Sequence, residues 1–111
     1  MGPAFFCDYL GASKAIQAFR NAEDLNALNS AILVLKQHIE ALDQLLPPAG
    51  HFMRVSLVQA QWSAGQQEQA RSTLNNIDFD QARTLGDDGA WDMRLKMLIA
   101  VLNGNEVPNL A

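Results

Sequence analysis

The side chains able to do chemistry in this chain are few and widely spaced. His38 and His51 are the only histidines, and Cys7 is the only cysteine. A zinc site draws its ligands from closely spaced Cys and His pairs, and neither an HExxH nor a CxxC spacing occurs, so no metal is expected. Cys7 lies between Phe6 and Asp8. An apolar ring and a carboxylate both disfavour a thiolate, so Cys7 reads as a small buried apolar side chain and not as a nucleophile. The two histidines read as partly exposed. Ser13, Ser56 and Ser63 lack the Gly-x-Ser-x-Gly setting of a nucleophile elbow. Asp78, Asp80, Asp87 and Asp88 form the main acidic cluster. A calcium loop needs oxygen ligands at alternating positions, and Ala82 and Arg83 fall where ligands should be, so helix capping is the better account. Gly104 stands alone, so no phosphate-binding glycine loop is present. These residues predict a chain that is not an enzyme and needs no cofactor.

Composition narrows the class further. The chain has 111 residues, of which 49% are hydrophobic and 18% charged, enough apolar material for one modest globular core. A formal net charge of -4 gives no positive field for phosphate backbones, so nucleic acid is not an expected partner. Lys14, Lys36 and Lys96 never form a basic block, which argues against a membrane surface. No run approaches the ~18 apolar residues of a membrane span. The apolar stretch Ala4–Cys7 is too short for a secretory core, and Phe6 stands where a myristoylation motif needs Ser or Thr. With one cysteine no intrachain disulfide can form. A soluble chain follows, with a cytoplasmic setting favoured.

Helix formers dominate, and strand-like alternation is nearly missing. The pattern predicts an all-α domain of stacked antiparallel helical hairpins, with about five helices in a single domain over 1–111. The first helix is expected over 3–19. The second, over 23–46, carries Leu25, Leu28, Ile32, Leu35, Ile39, Leu42 and Leu46 in steps of three and four, a heptad seam. Leu33, Val34 and Leu45 widen it. Pro47-Pro48 is expected to end that helix. A third helix is expected over 51–63 and a fourth over 66–75, with Gly65 at the bend. A short helical piece through Gln81–Arg83 precedes a loop at Gly86–Gly89. A fifth helix is expected over 90–102, followed by a loosely held tail over 104–111. Trp62 and Trp91 read as core or inter-hairpin contacts.

Around Gly65 the chain resembles the tetratricopeptide repeat, a 34-residue helix–turn–helix unit. With Gly65 at the turn, Leu57 falls at the large position of the first helix and Ala60 at its small position. Ala70 falls at the small position of the second helix, where the helices approach most closely. Leu74 and Ile77 take the later large positions. Arg54 replaces the early aromatic, Val58 replaces a glycine, and no proline closes the unit. The likeness spans about 27 residues. It implies a protein that binds a peptide or protein segment on a concave surface, as an adaptor, chaperone or assembly factor.

Arg54, Gln61 and Arg94 are the residues expected to line such a groove. Arg54 and Gln61 are seven residues apart, hence on one helix face and expected at the surface. Replacing Gln61 is then expected to leave stability intact. Gln59, Gln61, Gln66, Gln67 and Gln69 form a Gln-rich face whose amides suit extended peptide backbone. The alternative is a structural role, in which the Leu25–Leu46 seam drives homodimer formation or docking into a larger assembly.

Overall fold

The computed structural model describes residues 3–85 together with residues 96, 98, 99 and 103. The described chain is all-helical: α1 (Pro3–Asn21), α2 (Leu25–Leu45), α3 (Pro47–Ser63), α4 (Gln67–Asn75) and α5 (Phe79–Arg83). Successive helices pack on one another as a stack of hairpins, α1 on α2, α2 on α3, and both α4 and α5 on α3.

Local chemistry sets the boundaries. Asp24 caps α2, its carboxylate accepting from the Ala27 N–H at 2.7 Å, which starts the helix two residues later than the periodicity suggests. The largest departure from the sequence reading lies at Pro47-Pro48. These prolines end α2, but they also open α3, which begins at Pro47 and not at His51. The first turn of a helix has no use for its N–H groups, and a fixed φ suits it. Leu46 alone joins the two helices, extended at φ -154° and ψ 92°.

The α3–α4 bend falls at Gly65, as expected, with φ +78°. The Gln66 N–H bonds the Gln61 carbonyl at 2.9 Å and the Gly65 N–H bonds the Trp62 carbonyl at 3.0 Å, a Schellman closure. Asp78 caps α5 through the Gln81 N–H at 3.2 Å. Its own N–H donates to His51 Nδ1 at 3.0 Å, tying the chain after α4 to α3. This bond leaves the ring proton of a neutral His51 on Nε2.

α3 is the wall between two apolar clusters. Ala49, Met53, Leu57 and Ala60 recur in steps of four and three and face α1 and α2, where Leu35 and Leu42 are fully buried. Val55, Val58 and Trp62 point the other way, toward Ala70, Ile77, Ala82 and Leu98. A helix apolar on two faces is what a central element requires. Most of the heptad seam of α2 lies in the first cluster, as Ile32, Leu35, Ile39 and Leu42, whereas Leu25, Leu33, Val34 and Leu45 remain exposed. Ala60 and Ala70 are both fully buried, but Ala60 belongs to the first cluster and Ala70 to the second, so the two alanines serve different sides of α3. Cys7 is exposed, contrary to the sequence reading. It lies three residues from Ala4 and four from Gly11, on a face of α1 away from the buried Ala12 and Ala15. No described helix is long and apolar enough to cross a membrane. Most of the expected helix over 90–102, the loop before it and the tail over 104–111 lie outside the described residues.

Candidate interaction groove

α2, α3 and α4 enclose a groove of about 230 Å³. α2 contributes Lys36, Ile39 and Glu40; α3 contributes Arg54 and Leu57; α4 contributes Ser72, Thr73 and Asn76. Ile39 and Leu57 are buried and form an apolar floor, and the remaining lining is polar. Lys36 and Glu40, four apart on α2, share one edge and are both exposed. A second concavity continues along α4 past Ser72 and Asn76 to Glu68, Arg71 and Asn75.

Arg54 is held in place within this groove. Its Nη1 donates to Asp43 Oδ1 at 2.9 Å and its Nη2 donates to Asp43 Oδ2, a two-pronged pair joining the end of α2 to the middle of α3. Gly50 makes the pair possible. A Cβ there would lie 2.0 Å from Asp43 Oδ1 and 3.3 Å from Arg54 Nη1. Both partners are more than half-buried, so the guanidinium is a positioned donor plate at the groove end and not a free cation.

Gln61 is placed differently from the sequence expectation. It is 3% exposed, with Oε1 accepting from the Thr73 hydroxyl at 2.7 Å. The Gln69 carbonyl, 2.9 Å from the same hydroxyl, competes for its proton. The reason is the Gly65 bend: α4 folds back over the C-terminal half of α3 and covers Gln61, while Arg54, two turns earlier, stays at the open end. Gln61 therefore anchors α4 and offers nothing to a ligand. Arg94 lies outside the described residues.

Sequence reasoning missed Lys36, Glu40, Ser72, Thr73 and Asn76. Lys36 and Glu40 were legible as polar positions flanking the leucine seam. The α4 residues became relevant only once the bend laid that helix beside α2, where Gln66 Nε2 also reaches Asn29 Oδ1 at 2.9 Å. Among the described residues, no three His, Cys, Asp or Glu side chains are gathered so as to hold a metal ion.

Fold and groove together define an all-α domain of stacked helical hairpins with a polar interhelical cleft. No family model, curated protein or solved structure matches the chain.

Proposed function

We propose that this chain is a non-catalytic protein-interaction module of tetratricopeptide-like kind, which binds an extended peptide or protein segment in the α2–α3–α4 groove. The single observation that carries this reading is the groove's construction, a narrow apolar floor of Ile39 and Leu57 beneath a polar rim. Such a cleft suits an extended backbone: the rim supplies donors and acceptors for main-chain amides, and the floor takes one small apolar side chain. Lys36, exposed and without an ion pair among the described residues, favours a segment with a carboxylate near that edge. The groove holds Arg54 in a bidentate pair and Lys36 and Glu40 at the rim, a set suited to recognition.

Selection from a displayed random-peptide library against the whole chain tests this. Selected peptides are expected to share an acidic residue and to lose at least about tenfold in affinity to the Lys36→Glu variant. A library that yields no binder, or binders indifferent to Lys36→Glu and Asn76→Ala, would refute it.

A further inference from the structure

The opposite flank of α2 carries a second concavity, unlike the first. It is a trough of about 500 Å³ between α1 and α2 with almost wholly apolar walls. Gly11, Ala15 and Ala18 stand on one side, and Ala27, Ala31 and Val34 on the other. Ala18, Ala27 and Val34 are exposed, so the first core does not account for their small or apolar character.

Most of the lining residues belong to two longer stripes in the sequence. On α1, Ala4, Cys7, Gly11, Lys14 and Ala18 follow in steps of three and four. On α2, Ala27, Ala31, Val34, His38, Ala41 and Leu45 do the same, over ~27 Å of helix. Alternating steps of three and four are the signature of a face that meets another helix. The seam inside the first core uses a different set of α2 residues, so this one is a second helix-facing stripe. At Gly11 a Cβ would lie 2.3 Å from the His38 ring, so the glycine makes room for that ring against α1. His38 Nδ1 is then fixed by Asp8 Oδ1 at 2.9 Å.

We infer that the α1–α2 trough is a docking site for an amphipathic helix of a partner protein, with large apolar residues at heptad spacing and a carboxylate opposite Lys14. Charge complementarity selects the carboxylate. Lys14 lines the trough, is exposed, and has no ion pair among the described residues; no carboxylate is among the lining residues, and Asp8 of the same helix is paired with His38. Shape selects a partner over a second copy. Two troughs of small residues set face to face leave their middle unfilled, and they bring the two Lys14 side chains to the same face. A ridge of leucines covers the exposed Ala18, Ala27 and Val34.

The test uses two synthetic helical peptides of about 20 residues, long enough to span the trough. Both have leucines at heptad spacing, and they differ only in a glutamate or a lysine at one seam position. Fluorescence anisotropy against the whole chain is expected to show the glutamate peptide binding about tenfold tighter than the lysine peptide. Lys14→Glu, at an exposed position, is expected to reverse that preference. Val34→Glu should abolish binding of both peptides, with circular dichroism reporting that the variant is folded. Lys36→Glu, in the other groove, should change nothing. Failure of both peptides to bind, equal affinity for the two, or no reversal in Lys14→Glu would overturn the inference. So would a sedimentation mass of a dimer that Lys14→Glu or Val34→Glu disperses, since the occupant would then be a second copy. Loss of library binders to the polar groove with this charge reversal intact would overturn the proposed function alone.

Discussion

One flank of α2 carries Lys36 and Glu40 beside Ile39, while the other carries Ala27, Ala31 and Val34. The first cleft is the smaller, about 230 Å³ against about 500 Å³, and is polar at its rim. Each is steadied by the same device, a glycine in one helix that admits a hydrogen-bonded side-chain pair reaching across to α2. Gly50 seats Asp43 with Arg54, and Gly11 seats His38 with Asp8. The two copies of the device are not equal. Arg54 and Asp43 share two hydrogen bonds in a bidentate pair, whereas His38 and Asp8 share one. The polar cleft is therefore held by a two-pronged clamp and the apolar trough by a single-bonded one. A groove that reads backbone needs fixed donors. A trough that accepts a helix needs smooth walls and little else.

The largest expected effect comes from Ala70→Leu. Ala70 is the buried residue of α4, packed in the second cluster with Val55 and Val58 of α3, and enlarging it should overpack that cluster at a cost of about 1–3 kcal/mol. Because α4 is a wall of the polar groove only, peptide binding there should fall while the helical probe still binds the trough. Equal loss at both sites would erase the distinction between the flanks. Urea melts and the two binding assays read it.

Gln61→Ala should cost about 1–2 kcal/mol, because it removes a buried side chain and the hydrogen bond that Thr73 donates. A wild-type melting curve would return Gln61 to the surface role that its spacing suggested.

The glycines sharpen the contrast between clamps. Gly50→Ala must displace the Asp43 carboxylate, and the loss of the bidentate pair should outweigh a helix-propensity gain of up to ~1 kcal/mol, leaving the variant about 1 kcal/mol less stable. Gly11→Ala displaces a ring held by one bond, so the same propensity gain should bring it within about 0.5 kcal/mol of the parent. Equal changes in the two variants would show that the clamps are equivalent.

Acid gives the smallest effect and spares both flanks. The hydrogen bonds from the Gln81 side-chain amide and backbone N–H hold the Asp78 carboxyl below the usual aspartate range. A lowered folded value means that the cap's stabilisation is fully present above the unfolded value of ~3.9 and is lost as pH falls through the folded one. Amide exchange at Gln81 should accelerate, relative to its intrinsic rate, below about pH 4. The Gln66 amide in the Gly65 bend should keep its protection.

The helices and the bend were legible because their signals are local. The leucine periodicity of α2, the glycine at 65 and the proline pair each act through neighbours in the chain. What the prolines did at Pro47 was only half legible, since the same residues that end one helix suit the first turn of the next. The groove was less legible still. Arg54 was found from its place on α3, and the same logic exposed Gln61, because seven-residue spacing gives a shared face but not what covers it. Covering is decided by where α4 lands. Asp43 and Gly50 carried no signal of their own, since an ion pair across two helices becomes visible only when the Leu46 corner is closed.

Backbone amide mapping by NMR of the whole chain tests the central claim most directly, with a library-selected acidic peptide and the glutamate helix titrated separately and then together. Two separate sets of shifts are expected, around Ile39, Leu57 and Asn76 for the peptide and around Gly11, Lys14 and Val34 for the helix, with both ligands bound at once. A single shared set of residues, or displacement of one ligand by the other, would contradict it.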